Sequence, residues 1–118
     1  MRAYILDRHD QTREQLLEWL SGDKRLTGIE VFEDYIKLIE QIGNSPPDFC
    51  FIRLGRDGIP GLKTADMIRQ TSSDIQIIFI SDDRDYALDA YEVGADGYLL
   101  CPVERDRLEK YLMMKKEA

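Results

Sequence analysis

The sequence has no long apolar run. Its longest, near Ile75 to Ile80, falls far short of the roughly 18 residues a membrane span needs. Cysteine is scarce: Cys50 and Cys101 are the two, too few for a disulfide framework and not in the Cys-x-x-Cys spacing of zinc or thioredoxin-type sites. The single histidine, His9, has no nucleophile elbow to serve, so a Ser–His–Asp set is excluded. No Gly-x-Gly-x-x-Gly follows the first apolar run and no P-loop occurs, which removes the dinucleotide and nucleoside-triphosphate fingerprints. Asp7-Arg8-His9-Asp10 lacks the small, hydroxyl- and glycine-rich loop that cradles a flavin phosphate. Enzyme readings therefore find no support. A charge arrives before any signal-peptide core forms. Basic residues are outnumbered, 16 Lys and Arg against 23 Asp and Glu, a net of −7. That excess argues against direct nucleic-acid binding and against a polybasic membrane surface. Repeats, low-complexity tracts and linkers are missing too. What is present, 43% apolar and 33% charged residues over 118 positions, suits one soluble domain that folds without metal or disulfide. A cytoplasmic location is expected.

The elements alternate. Ala3 to Leu6 reads as a buried strand closed by Asp7. Asp10 reads as the N-cap of a helix carrying Leu16, Leu17 and Leu20, stopped by Ser21-Gly22-Asp23. Gly28 to Phe32 reads as a strand, and Glu33 to Ile42 as a helix with Ile36, Leu38 and Ile39, ended by Gly43. After Pro46-Pro47, Phe49 to Ile52 is continuously apolar, as in a central strand covered on both faces. A loop with three glycines, Arg53 to Gly61, precedes a helix face of Leu62, Ala65 and Ile68. Ile75 to Ile80 reads as a fourth strand. Ser81-Asp82-Asp83 then caps a helix to Val93, with Gly94 as its stop. Gly97 to Leu100 reads as a fifth strand, and Leu108, Tyr111 and Leu112 mark a last helix. Strand–helix alternation predicts a doubly wound parallel sheet, α/β in class. Sites in such sheets form at the carboxyl ends of the strands. The residues there are Asp7, Arg8, Arg53, Ser81 and Cys101.

These strand ends carry a resemblance. Ile78-Phe79-Ile80-Ser81, the run Tyr86 to Leu100 with Pro102-Val103, and Asp48 to Ile52 with the Gly58 and Gly61 loop are similar to the receiver domain of bacterial response regulators. The likeness spans essentially the whole chain. Tyr86-Ala87-Leu88-Asp89-Ala90-Tyr91 looks most like receivers of Lyt-type transcriptional regulators. The resemblance implies a CheY-like, flavodoxin-like (βα)5 fold with strand order 2-1-3-4-5. It also implies phosphoryl transfer to an aspartate ending the third strand, two acids holding Mg²⁺, a Ser or Thr ending the fourth strand, and a Lys before a proline ending the fifth.

The sequence departs from that set. Arg53 stands at the acceptor position, and a guanidinium cannot be a carboxylate nucleophile. Asp7 is kept, but Arg8 replaces the second acid and Cys101 the lysine. Ser81 and Pro102 are kept, the latter implying a cis peptide bond, and Tyr98 stands at the family's switch aromatic. An Arg53–Asp7 ion pair, with Asp82 as a second carboxylate, is expected to replace the metal, so Mg²⁺ is not expected in the pocket. The reading is a degenerate, phosphorylation-independent receiver, a regulatory protein-interaction module. The face of the fourth helix, fifth strand and last helix, with Tyr86, Tyr91, Tyr98 and Tyr111, is the implied contact or homodimer surface. The chain stops at Lys115-Lys116-Glu117-Ala118 in what reads as mid-helix, leaving room for a C-terminal DNA-binding domain in a longer protein.

Two other readings stay open. One is a phosphorylatable receiver using a displaced aspartate: Asp57, Asp82 or Asp83. The other is a ligand or thiol-redox sensor in which Arg53 lowers the pKa of Cys101. Cys50 reads as inert core, and a Cys50–Cys101 disulfide is excluded by the implied strand order. Trp19 and Tyr111 read as core or helix-face residues, and His9 as a solvated loop residue rather than a metal ligand.

Overall fold

The structure, a computed structural model, describes residues 1–55 and 60–114. Asp57 and Gly58, and the terminal residues Lys115 to Ala118, lie outside that description, and with them the displaced-acceptor reading of Asp57 and the reading of the chain's end. The elements are β1 (Arg2–Leu6), α1 (Asp10–Ser21), β2 (Gly28–Phe32), α2 (Tyr35–Asn44), β3 (Phe49–Arg53), α3 (Gly61–Thr71), β4 (Gln76–Ser81), a 3-10 turn (Arg84–Tyr86), α4 (Ala87–Glu92), β5 (Gly97–Leu100) and α5 (Arg105–Met114). The strands pair in parallel in the order β2-β1-β3-β4-β5. This is the α/β, flavodoxin-like order expected from the resemblance.

Strand alternation divides the core into two layers, because successive side chains point to opposite faces. Ala3, Ile5, Phe49, Phe51, Ile78, Ile80 and Leu99 pack with Leu16 and Leu20 of α1 and Leu108 and Leu112 of α5. Tyr4, Leu6, Cys50, Ile52, Ile77 and Phe79 pack with Leu38 and Ile42 of α2, Ala65 and Ile68 of α3 and Ala90 of α4. Each fully buried Leu, Ile or Phe contributes about 1.5–3 kcal/mol, so these two layers dominate the stability. Trp19 and Tyr111 both pack against the α1/α5 layer.

Several boundaries differ from the sequence reading. His9, not Asp10, caps α1: its ring accepts from the Thr12 N–H at 3.3 Å. Asp10 instead pairs with Arg13 at 2.7 Å. Helix α2 begins after Asp34, whose side chain accepts from Ile36 N at 2.7 Å. It runs through Gly43 to Asn44, since glycine within a helix costs only about 1 kcal/mol and Pro46 supplies the stop. Ile36 is on the exposed side of that helix, so Leu38 and Ile42 carry its buried stripe. The segment after β4 is capped by Asp83 alone, at 2.8 Å from Asp85 N, and opens as the 3-10 turn. Cys50 and Cys101 are both free.

Two glycines are required by geometry. Gly94 has φ of 90° and closes α4, its N–H donating to Tyr91 O at 3.0 Å. Gly97 lies under Tyr111, whose Cζ would be 2.6 Å from an added Cβ. The ring has little freedom to retreat, because its hydroxyl accepts from Tyr98 N at 3.2 Å. Gly97→Ala is therefore expected to destabilise the domain by about 1–3 kcal/mol. Urea unfolding checks this; a midpoint equal to wild type contradicts the packing.

Candidate functional site

The register builds the site. Leu6 pairs with Ile52, so the next residues, Asp7 and Arg53, emerge side by side at the carboxyl ends of β1 and β3. This is where strand order reverses, the position at which open α/β sheets form their crevice. Asp7, Arg53 and Cys101 continue the parity of Ile5, Phe51 and Leu99, and therefore lie on the α1/α5 side. Ser81 continues the parity of Ile77 and Phe79 and lies on the α2–α4 side.

On the first side, Arg53 meets Asp7 in a two-pronged pair. Its Nε donates to Oδ1 at 3.1 Å and its Nη2 to Oδ2 at 3.2 Å. Asp7 is fully buried and Arg53 is 4% exposed. Oδ1 also accepts the His9 N–H at 2.8 Å, so the loop that starts α1 is tied to the same carboxylate. The third arm, Nη1, reaches Cys101 Sγ at 3.6 Å and Asp82 Oδ2 at 3.7 Å. Burial works against the charge of Arg53, but the hydrogen bond and charge of Asp7 more than offset it. Arg53 holds its proton more tightly than an ordinary arginine.

Cys101 departs from the redox expectation. Burial pushes its thiol up, and the Asp82 carboxylate acts in the same sense. The Arg53 guanidinium pulls down without winning, so the net shift is upward. Cys50 is fully buried and its thiol is pushed far up by burial, as expected of inert core. The Cys101–Pro102 bond is cis.

On the second side, Asp83 is the hub, a residue the sequence marked as part of a helix cap and as a spare acid but not as a link between Ser81 and Tyr98. Its carbonyl accepts from Ser81 Oγ at 3.0 Å and from the Tyr98 hydroxyl, and its N–H returns to Ser81 Oγ at 3.0 Å. The Asp83 carboxylate is spent on its cap. The only advance signal was that Asp83 stood two residues past Ser81, the spacing of a local side-chain turn. Tyr98 and Tyr86 pack against the α2–α4 layer, while Tyr111 packs against the other. Burial raises the Tyr98 hydroxyl, so it remains a donor at neutral pH. Of the four tyrosines singled out, only Tyr91 is exposed, joined on α4 and α5 by exposed Leu88, Met113 and Met114.

Arg8 does not enter the pocket. It is exposed, and its Nε donates to Glu33 O at 2.9 Å. His9 is exposed and serves as a cap. Among the described residues, no three His, Cys, Asp or Glu side chains converge as metal ligands. Among them also, no helix is long and apolar enough to cross a membrane.

This fold and this strand-end site define a receiver-type domain, and comparison with known proteins agrees. Residues 3–113 match the family described as the response regulator receiver domain. The chain is 31% identical over 115 residues to transcriptional regulatory protein BtsR of Salmonella typhi, covering 95% of this chain and 46% of that protein. It is 30% identical over 112 residues to an uncharacterized response regulatory protein of Yersinia pestis, covering 95% and 47%. Sensory transduction protein LytT of Bacillus subtilis is 26% identical over 118 residues, covering 100% and 49%. The chain spans about half the length of the curated relatives it matches. The response regulatory domain of protein mrkE from Klebsiella pneumoniae superposes with a TM-score of 0.85 at 20% identity, over 97% of this chain and 93% of that one. The chain belongs to the response regulator receiver family of two-component signalling, with Lyt-type regulators among its relatives.

Two outcomes follow from the pocket. Asp7→Asn strands a buried guanidinium, so it is expected to cost about 3–5 kcal/mol. The double variant Asp7→Asn/Arg53→Met should recover much of that loss, and urea melts of the set check both. Cys101 should react with iodoacetamide more slowly than a free cysteine at pH 8. The raised pKa means its rate climbs only above the ordinary cysteine range. Rapid labelling at pH 7 would contradict the burial.

Proposed function

We propose that this receiver domain signals without phosphorylation, as a regulatory protein-interaction module. The observation that carries the reading is Arg53, last residue of β3, in a buried two-pronged pair with Asp7. The family resemblance puts the phospho-acceptor at that residue, and arginine has neither the charge nor the lone pairs to attack a phosphoryl group. The pocket also fits Mg²⁺ poorly. The metal demands free carboxylate oxygens, and both oxygens of Asp7 already accept N–H donors. Arg8 is turned to Glu33 O. In this reading the guanidinium does what metal and lysine do elsewhere in the family: it balances the carboxylate and ties β1 to β3. The Ser81–Asp83–Tyr98 cluster is then held in one arrangement.

Output passes through the face of α4, β5 and α5, where Leu88, Tyr91, Met113 and Met114 are exposed. Apolar side chains of this size anchor interfaces, and a second copy of the chain is the proposed occupant. A relative named as a transcriptional regulator is about twice as long as this chain, which supports a regulator in which this receiver is joined to a further domain; in this reading that domain binds DNA and the protein acts in the cytoplasm. The receiver itself, at a net −7, is not the part that touches DNA.

Acetyl phosphate with Mg²⁺ and intact-mass spectrometry tests the central claim. No phosphoryl adduct is expected, and beryllofluoride with Mg²⁺ should leave the amide signals of Asp7, Arg53 and Ser81 unmoved. An adduct on any aspartate, Asp57, Asp82 and Asp83 included, would establish the displaced-acceptor reading instead. Arg53→Asp alone should restore phosphorylation weakly at best, because Arg8 and Cys101 stay in place.

A further inference from the structure

A groove of about 490 Å³ opens beside the Arg53 pocket, between α1 and the segment joining β5 to α5. That volume falls within the roughly 300–1,000 Å³ of small-molecule sites. Thr12, Gln15 and Trp19 line it from α1. They are spaced three and four residues apart, so they stand in a row along one helix face. Two turns of helix separate Thr12 from Trp19, about 10 Å. Pro102 and Val103 form the opposite wall. At the Thr12 end the hydroxyl lies against the Cys101 thiol, and the Asp82 carboxylate closes the groove. One end is therefore polar and acidic, and the other is aromatic.

The charge balance at the acidic end is uneven. Asp7 and Asp82 face the single guanidinium of Arg53, and Asp7 takes two of its three arms. Asp82 is left at 3.7 Å with a side chain 78% exposed. Several other charges near the groove have partners of their own, among them Glu104 with Arg107 and Arg105 with Glu109, just beyond Val103. Asp10 pairs with Arg13, and Arg8 turns to Glu33 O. The His9 ring accepts the Thr12 N–H at the start of α1, the helix end that otherwise favours an anion. The mouth thus carries about one surplus negative charge, and the domain's net of −7 adds to the attraction for cations.

We propose that this groove binds a small organic cation with a flat apolar end, an arylalkylamine in chemical class. The ammonium sits at Asp82, with the Thr12 hydroxyl and the Gln15 side-chain carbonyl as further acceptors. The ring lies on Trp19, between Pro102 and Val103. Such a ligand touches α1 and the β5–α5 link together, so binding is an input to the domain that needs no phosphoryl group. The inference goes beyond the phosphate-free reading and does not depend on it.

Trp19 is the only tryptophan in the chain, so its emission reports on the groove. The 118-residue protein is titrated with 2-phenylethylamine and, separately, with 3-phenylpropionate, a similar skeleton of opposite charge. Trp emission and the amide and indole signals are followed by fluorescence and NMR. The amine is expected to give a saturable shift below about 10 mM, a range typical of small ligands with few contacts. Phenylpropionate should bind at least about fivefold more weakly, and Asp82→Asn should weaken the amine by about fivefold, as loss of one exposed charge pair does. Val103→Phe, which fills the apolar wall, should abolish saturation while circular dichroism stays native. If Val103→Phe does not fold, the exposed Asp82→Asn variant still decides. No saturable response to the amine, equal binding of phenylpropionate, or indifference to Asp82→Asn overturns the proposal. The phosphorylation assay reads mass, so either idea can fail without the other.

Discussion

A guanidinium can stay inside a protein only where a carboxylate meets it with matching geometry. At the end of β3, Arg53 is nearly inaccessible, and Asp7 supplies both oxygens to its fork. The rest of the site is arranged around that pair. The same carboxylate holds the His9 N–H and so sets where α1 begins. The spare arm of Arg53 reaches Cys101 and Asp82, joining the ends of β5 and β4 to those of β1 and β3. Such a pair need not add net stability over an apolar replacement, because desolvating two charges costs as much as their attraction returns. Its effect is to make the arrangement all-or-none: either partner alone is a buried, uncompensated charge.

Strand parity explains why the crest of the sheet is two half-sites. Side chains alternate between faces, so Asp7, Arg53 and Cys101 point toward α1 and α5, whereas Ser81 points toward α3 and α4. The first half is ionic and buried. The second is a neutral hydrogen-bonded cluster in which the Asp83 backbone joins Ser81 to Tyr98. The proposed ligand groove and the proposed dimer face lie on different helices: α1 with the β5–α5 link for one, α4 and α5 for the other. Both elements join at β5, so an event at Cys101 is one short strand from the face that carries Tyr91 and Met113.

Much of the architecture was legible in advance, for physical reasons that differ by element. The strands were clear because buried parallel strands are short continuous apolar runs, as Phe49 to Ile52 shows. Helix starts were less legible. Asp10 is a better intrinsic cap than His9, yet Asp7 captures the His9 N–H and moves the cap back by one residue. Ile36 read as core and is exposed, because the start of α2 at Tyr35 sets which stripe faces the sheet. The tyrosines read alike in sequence, but packing separates them: Tyr111 is pinned to the Tyr98 backbone while Tyr91 is open to solvent.

The sequence by itself determined the class of fold and the residue types at the strand ends, because hydrophobic periodicity and turn residues are local properties. It also determined that Arg53, where the family resemblance puts the acceptor, is a cation, and no environment turns a guanidinium into a carboxylate nucleophile. Only the tertiary structure decided which of those residues meet. The parallel register puts Asp7 against Arg53, parity sends Ser81 to the other face, and burial rather than the neighbouring cation sets the state of the Cys101 thiol. Contact and desolvation depend on residues distant in the chain, and only the packed sheet brings them together.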